Sequence, residues 1–549
     1  MIIKLVLSFL IVALSQPDWS PFCCILASAL GYAIFWKGML CCASKKKRFF
    51  LALVWFGGVQ VIHLSWLTAD RYVGPFIYLL VVLIFLSLGA LFGFLSLFVQ
   101  EPKKMHISRV LAVAGGWTII EWSRLFFLSG FSWNPVGLAL SGTLYGMQMA
   151  SIVGVFGLTF WVIFTNLMVL RMWVRPFAWG VSALWLAVAL TPYLFGYAEV
   201  TFHDRESERQ KNSPLSVVLV QTALMPEEKT TFPGSIEPYS PLDQWKRMLS
   251  LLKKHDGKEV DLLVFSETVV PYGTDHPVYW PESVSEAFKE AFSVELDTSG
   301  ENSAVGNSYW AQSLANYFNA DVAIGLEDCD ERCVYNAGFL FSPYSERCER
   351  YQKRVLVPFG EYIPFDWCRT LLAKYGIYGS FQPGSEAKVF PGKKVPLGMS
   401  ICYEETFGHL MRETRLNGAS LLINMTNDVW YPYSRLPYVH YLHGRMRSVE
   451  CGMPIVRSSN TGVTCGIDSV GRLVGILDYE RAGSKSTADA LYLTLSSYTY
   501  PTLYTHLGDE LILVLGFSLV LVDFLTTTFS SSSFITNKLG TWGLRKNDE

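Results

Sequence analysis

Gly398-Met399-Ser400-Ile401-Cys402-Tyr403-Glu404-Glu405-Thr406 is the stretch on which the reading of this chain turns. The apolar run 395–401 reads as a buried strand. It stops abruptly at Cys402, and a polar, helix-compatible segment, 404–415, follows. A strand-to-helix turn lifts one side chain out of the sheet edge, where a substrate can reach it. Gly398 and Ser400 are small enough to allow tight packing beneath. A cysteine at such a turn, with Glu404 two residues on, has the makings of an activated nucleophile. A free cysteine is more often a small buried core residue, so the rest of the chain decides between the two readings.

Of the 549 residues, 51% are hydrophobic and only 17% are charged, which is too apolar for an ordinary soluble protein of this size. The net charge of −2 leaves no basic footprint for nucleic acid. The 17 tryptophans suit membrane-interface belts.

Residues 1–198 are mostly long apolar runs with short polar breaks, and 2–14, 22–36, 49–67, 76–99, 110–128, 147–173 and 177–198 read as spans. A helix needs about 20 apolar residues to cross a bilayer, so the first two are marginal. Residues 2–14 also have the form of a signal peptide, but a retained span is preferred because no soluble mature domain follows. Run 511–525 gives an eighth span, within 509–528. Lys45, Lys46, Lys47 and Arg48, then Lys103, Lys104 and Arg109, then Arg171 and Arg175 fall in alternate loops and hence on one side, the cytoplasmic one. The loops near Asp18 and near Asp70 and Arg71 lack such clusters. By parity the large segment after the seventh span lies outside the cytoplasm. The tail 529–549, with Lys538, Arg545 and Lys546, returns inside. Glu121 and Arg124, within the fifth run, read equally as a functional path or as a structural pair. The Gly/Pro-broken loop 129–137 is expected on the outer side, in the interface beside a lipid site.

Residues 199–213 read as a charged linker, and at Pro214 the composition changes to that of a globular α/β domain, 214–505. Strands are expected at 216–221, 260–265, 321–326, 338–341, 395–401, 421–425, 454–457 and 464–467. Ser240 caps a helix with Leu242, Trp245, Leu249 and Leu252 on one face, and 445–450 reads as helical. Residues 271–310 are polar and turn-rich and read as a surface excursion. This alternation predicts sheets covered by helices.

Three strand ends carry residue types that fit together chemically. Glu267 follows one strand, Lys353 lies in the run 351–364, and Cys402 is the turn. A carboxylate can take the thiol proton and return it to a leaving group. An ammonium lowers a thiol pKa and steadies an oxyanion. Glu361 is placed to orient the lysine or to share a proton with Glu267. Taken singly, Glu267 reads as a helix cap and Lys353 and Glu361 as surface charges; spacing alone does not make them converge. The outer segment also holds Cys329, Cys333, Cys348, Cys368, Cys451 and Cys465, whose pairing the sequence leaves open. Cys329 and Cys333 resemble half a metal knuckle with no second half, and His440 and His443 read as a helix face rather than a zinc site.

The order Glu, Lys, Cys, with Phe265-Ser266-Glu267-Thr268, Lys353 followed by Val357-Pro358-Phe359-Gly360-Glu361, and Ile401-Cys402-Tyr403-Glu404, resembles the nitrilase superfamily of carbon–nitrogen hydrolases. With the eight spans, and with Gly130-Phe131-Ser132-Trp133, 424–428, 445–450 and 457–463, essentially the whole chain is similar to the apolipoprotein N-acyltransferase family of bacterial inner membranes. The resemblance implies a polytopic α-helical bundle of about eight spans carrying a nitrilase-like αββα sandwich on the periplasmic side, with the C-terminus cytoplasmic. It implies Glu267 as general base, Lys353 as the oxyanion-stabilising cation and Cys402 as nucleophile, supported by Glu361, Tyr403, Glu404 and the pocket residue Asn336. It implies acyl transfer from the sn-1 position of a phospholipid donor to the N-terminal amine of a diacylated apolipoprotein, through a thioester, with membrane lipids around it and no metal or other cofactor. The alternative is a membrane-anchored amidase with water as acceptor; a transporter or scaffold with a degenerate outer domain is a third class, against which the complete Glu267/Lys353/Cys402 set argues. The chain departs from the family in having Trp430-Tyr431-Pro432 where a Trp-Phe-Gly is usual. It also has no tryptophan in 224–240, so Trp245 is not given the role of the family's active-site tryptophan.

Overall fold

The computed structural model describes residues 1–101, 105–173, 179–210, 214–230, 237–301, 303–330, 333–374, 378–379, 381–477 and 487–543, with side chains to residue 528. Lys103, Lys104, Arg175, Arg545, Lys546 and the end of the expected linker, 211–213, lie outside the described residues, as does the Lys538 side chain.

Apolar runs in lipid must satisfy their backbone groups internally, which a helix does. The eight expected runs are all helical: α1 (Ile2–Ala13), α2 (Pro21–Met39), α3 (Lys45–His63), α4 (Ile77–Ser96), α5 (Ile107–Ser123), α6 (Ala150–Met172), α7 (Trp179–Gln210) and, at the end of the chain, Glu510–Gly543. Five of them, α2, α4, α6, α7 and the final helix over Glu510–Thr528, are long and apolar enough to cross a membrane. The other three fall short by length or charge: α1 has 12 residues, α5 has 17, and α3 opens on Lys45, Lys46, Lys47 and Arg48. The stretch expected as a charged linker is not a separate element. Residues 199–210 contain no Gly or Pro to stop a helix, and α7 runs straight through them.

Glu121 and Arg124 settle as a structural clasp. Glu121 accepts from Val136 N at 2.9 Å and Thr159 Oγ1 at 2.6 Å, with the Arg124 guanidinium 3.9 Å away. The clasp ties α5 and α6 to the loop between them. In α6, Gly154 sits at φ +64° and kinks the helix, which frees Val155 N to donate to Glu450 of the outer domain at 2.7 Å.

The outer domain is a four-layer sandwich. The first sheet contains β1 (Pro214–Gln221), β2 (Leu262–Val264), β3 (Asp321–Cys329), β4 (Val334–Phe341) and β5 (Glu349–Gln352), with β12 (Asp489–Ser496) on its other edge, in the order β12-β1-β2-β3-β4-β5. The second sheet holds β6 (Val389–Phe390), β7 (Leu397–Ile401), β8 (Leu421–Thr426), β9 (Ile455–Ser459), β10 (Cys465–Ile467) and β11 (Leu473–Ile476), in the order β11-β10-β9-β8-β7-β6. β1-β2-β3 and β7-β8-β9 are parallel, so their carboxyl ends form two adjacent rims. Their inner faces meet through Val217, Leu219, Val264, Met399, Ile401 and Ile423.

After a short turn of helix, α8 (Pro226–Lys229), helices α9 (Pro241–Leu252), α10 (Pro281–Phe292) and α11 (Asn307–Phe318) cover the first sheet. Ser240 caps α9 as expected, accepting from Asp243 N at 3.1 Å. Residues 271–310 are more than a surface excursion: α10 buries Val284, Ala287, Phe288 and Phe292 in that helical layer. Their i, i+3, i+4 spacing is the amphipathic signal that the surrounding acidic residues obscured. Trp245 stacks on Trp310 at 5.1 Å within the same layer. Over the second sheet, α12 (Gly408–Leu416) and α13 (Leu436–Cys451) share one continuous apolar core with the membrane helices. The final helix is α14 (Glu510–Gly543).

α14 returns to the bundle against α5 with almost no side chain between them. A Cβ on Gly115 would lie 2.8 Å from Gly516 Cα and 3.0 Å from Gly516 O. Close backbone approach at small residues is how helices associate in lipid. Gly115→Leu is expected to force the pair apart and lower the thermal midpoint of the detergent-purified protein by several degrees; an unchanged midpoint would show the contact to be dispensable.

Candidate active site

Each expected site residue is at or beside a rim of the sandwich. Glu267 lies three residues past β2, in a turn that crosses β3 so closely that a Cβ on Gly325 would sit 2.6 Å from Ser266 O and 2.7 Å from Glu267 Cα. Asn336 is in β4, and Lys353 immediately follows β5, its N–H donating to Asn336 O at 2.8 Å. Glu361 is in the loop beyond. Cys402 begins the helical turn Cys402–Thr406 directly after β7.

The charged side chains form one cluster. Lys353 Nζ donates to Glu267 Oε1 at 3.1 Å and to Glu361 Oε1 at 2.8 Å. Asn336 Nδ2 lies between the same two carboxylates, at 2.7 Å from Glu267 Oε1 and 2.8 Å from Glu361 Oε1. The second Glu361 oxygen accepts from Val357 N at 2.8 Å, which fixes the loop. Lys353 is 1% exposed. Burial by itself would strip its proton, but Glu267 and Glu361 outweigh that and hold its pKa well above the ordinary lysine value. The Cys402 thiol is pushed well above its ordinary value, by burial first and then by the Glu267 and Asp428 charges, against the pull of Lys353. That direction favours the thiol over the thiolate, and a neighbouring base such as Glu267 is the kind of group that can take its proton.

Cys402 adopts φ +50°, a left-handed conformation that a residue with a Cβ rarely takes. Such strain persists only where the surroundings over-determine it. Glu404 is one reason it persists, and its role differs from the activation suggested by its position two residues from the thiol. Its carboxylate is fully buried and accepts from Ile401 N at 2.8 Å, Arg354 N at 2.6 Å, Val355 N at 3.2 Å and Tyr351 Oη at 2.9 Å. It ties the Cys402 turn to the backbone just beyond Lys353. Tyr403 donates to Gly130 O at 2.8 Å and stacks on Trp133 at 5.4 Å. The loop 129–137 thus packs under the turn; Ser132 bonds Thr406, and Ser129 Oγ donates to Leu356 O at 2.8 Å.

Sequence reading missed four groups near the site. Asp428 and His440 lie beside Cys402: one oxygen of Asp428, one ring nitrogen of His440 and the Cys402 sulfur are all within 4.8 Å of one another. Both His440 nitrogens are already hydrogen-bonded, so a metal there would have to displace existing bonds. Behind them Arg457 is paired with Glu405, at 2.6 Å. Lys229, at the end of α8, is 9% exposed, and its ammonium faces Glu267 and Glu327 without a hydrogen-bond partner among the described residues. No spacing in the sequence announces any of these. The eleven cysteines are all free, and among the described residues no metal knuckle forms at Cys329 and Cys333.

Comparison with known proteins matches two parts of the chain. A family profile described as "Apolipoprotein N-acyltransferase N-terminal domain" matches residues 9–168, and one described as "Carbon-nitrogen hydrolase" matches residues 234–491. The apolipoprotein N-acyltransferase of Chlamydia caviae is 34% identical over 525 residues, covering 92% of this chain and 94% of its own. That of Chlamydia pneumoniae is 34% identical over 553 residues, covering 97% of each. This chain belongs to the apolipoprotein N-acyltransferase family. Among solved structures, Nit3 of Saccharomyces cerevisiae, from branch 10 of the nitrilase superfamily, is 17% identical over 52% of this chain and 90% of its own, with a TM-score of 0.36. In this N-acyltransferase-family chain Trp430 is half exposed and meets Tyr72 at 6.0 Å, while Tyr431 meets Trp66 at 5.0 Å.

Two expectations follow. Asn336→Ala removes one of the two donors that bridge the carboxylates and leaves Lys353 alone between them, and losing a buried hydrogen bond to charged groups costs about 1–3 kcal/mol. Turnover should fall about 10- to 100-fold at saturating substrate; a loss under threefold would remove Asn336 from the site. For Lys229, burial lowers the pKa from 10.5 to about 8, against the pull of Glu267 and Glu327. A lysine pKa depressed in the folded state destabilises the fold below that value, and the penalty fades as pH rises toward the unfolded 10.5. Lys229→Met should therefore raise the thermal midpoint at neutral pH while lowering activity, and the stability gain should shrink above pH 8. A midpoint that falls at neutral pH would contradict this.

Proposed function

We propose that the protein transfers an acyl chain from the sn-1 position of a phospholipid to the α-amine of a diacylglyceryl-cysteine at the N-terminus of apolipoproteins. The observation that carries this reading is the Lys353 ammonium, buried between Glu267 and Glu361, acting on a Cys402 turn that rests on the membrane helices.

In the first step Cys402 gives its proton to Glu267, and the sulfur attacks the ester carbonyl. Lys353 stabilises the oxyanion, as a preorganised cation in a buried site does effectively. Glu267 then protonates the departing lysophospholipid, leaving a thioester on Cys402. In the second step the acceptor amine attacks the thioester and gives a proton to Glu267, the C–S bond breaks, and Glu267 returns that proton to the Cys402 sulfur as the amide leaves. Glu361 and Asn336 hold Lys353 and Glu267 in place, and Glu404 and Tyr403 hold the turn. The raised thiol pKa supports a reading in which the proton passes to Glu267 as the sulfur attacks.

The architecture has a physical reason on this reading. Both substrates are lipid-anchored, and pulling an acyl chain into water costs about 0.8 kcal/mol per CH2. A rim mounted against the bundle spares that cost. The basic clusters of alternate loops support an inner-membrane topology with the outer domain periplasmic and the C-terminus cytoplasmic.

The decisive measurement is the intact mass of detergent-purified protein after incubation with phospholipid. Wild type should gain one hydroxylamine-labile acyl chain, and Cys402→Ala should gain none. Turnover of small amides by a wild type that never acquires the adduct would instead indicate an amidase.

A further inference from the structure

The turn that presents Cys402 is held from behind by a histidine that no step above uses. His440, on α13, is 1% exposed. Its Nδ1 lies 2.9 Å from Asp428 Oδ1, and its Nε2 lies 3.0 Å from the Cys402 carbonyl oxygen and 3.1 Å from Glu405 Oε1. A neutral imidazole has one N–H and one lone pair. The Cys402 carbonyl can only accept, so Nε2 carries a proton. Nδ1 then meets Asp428 either lone pair against lone pair, which is repulsive, or through a proton held between the two.

The local charge balance selects the second arrangement. Glu405 is neutralised by Arg457, whose guanidinium lies 2.6 Å away. Among the described residues Asp428 forms an ion pair with His440 alone, and its other oxygen is buried without a hydrogen-bond partner. With both nitrogens protonated, Asp428 and Glu405 are balanced by His440 and Arg457.

We propose that His440 is a doubly protonated positioning residue that pins the strained Cys402 turn by its carbonyl oxygen and sets a second positive charge, besides Lys353, next to the nucleophile. One ring nitrogen is within 4.8 Å of the sulfur. The clamp explains how φ +50° is kept at a residue with a side chain: Asn424 Nδ2 donates to the same carbonyl at 3.4 Å, so the oxygen is fixed from two elements. The groups that face the ring are Asp428 from the end of β8, Glu405 and Cys402 from the turn, Arg457 from β9 behind Glu405, and His443 from its own helix, with the Trp133 ring at 5.5 Å. Glu267 and Lys353 act on the thiol from the other sheet.

The inference rests on Cys402 being the nucleophile, and its test reports on the two separately. Full-length protein in detergent is labelled with iodoacetamide across the neutral and alkaline range. Modification of Cys402 is followed by peptide mass, in parallel with acyl-enzyme formation from phospholipid. His440→Gln keeps a donor near the Nε2 position but removes the charge. A cation within a few ångströms favours the thiolate, so its loss should move the labelling midpoint to higher pH by about one unit. The first acyl transfer should slow about tenfold, with the phospholipid concentration for half-saturation little changed. An unchanged midpoint overturns the inference. A wild type that labels at Cys402 but forms no acyl-enzyme overturns the proposed function, and the midpoint shift still decides the charge on His440. Should His440→Gln not fold, His440→Asn carries the same readout; failure of both to fold assigns His440 a purely structural role and overturns the inference as well.

Discussion

A lysine ammonium that is 1% exposed is the constraint on which the outer domain depends. Desolvating a charge costs several kcal/mol even after relaxation, and one partner seldom offsets it. Here two carboxylates and an amide do so together. Glu267 comes from the end of β2, Glu361 from the loop after β5, and Asn336 from β4. None of the three can move without leaving a buried charge unmatched. The cluster therefore fixes how β2, β4 and the 353–361 loop sit relative to one another, and it does so next to the thiol on the facing sheet.

The second sheet answers with a strained turn. Glu404 binds that turn to the backbone of the first sheet's edge, and Asn424 and His440 hold its carbonyl. Beneath it lies the 129–137 loop, with Tyr403 on Gly130 and Trp133. Nucleophile geometry and membrane docking thus share one segment of five residues, Cys402–Thr406. Further out, Glu450 takes the N–H freed by the Gly154 kink, so a membrane helix is bent to meet the outer domain. The rigid floor of the site is the bundle itself.

Much of this was legible in the chain. The apolar runs named the helices, because lipid leaves a long apolar segment few alternatives. Runs of Val, Leu and Ile of strand length named most central strands, since strands buried on both faces read as continuous apolar segments. The edge strands β5, β6, β11 and β12 were not read, being short or half polar. Helix α10 was hidden by its acidic outer face. The continuation of α7 through 199–210 was read as a linker because charge was taken for a break, although nothing in that stretch stops a helix.

The sequence by itself determined the residue types of the reaction and the elements that carry them: a cysteine ending a strand, a lysine after a hairpin, and glutamates at Glu267 and Glu361. It did so because strand ends and turns are set by local chemistry. Only the tertiary structure decided what Glu404 holds, that the Glu267 charge acts on Lys229, and that His440 stands behind Cys402. Those facts depend on which strand ends meet across two sheets, over separations of 38 residues for His440 and Cys402 and 50 for Glu404 and Arg354. Burial and charge balance act on residues that are near in space, and the spacing of residues along a chain does not record that nearness.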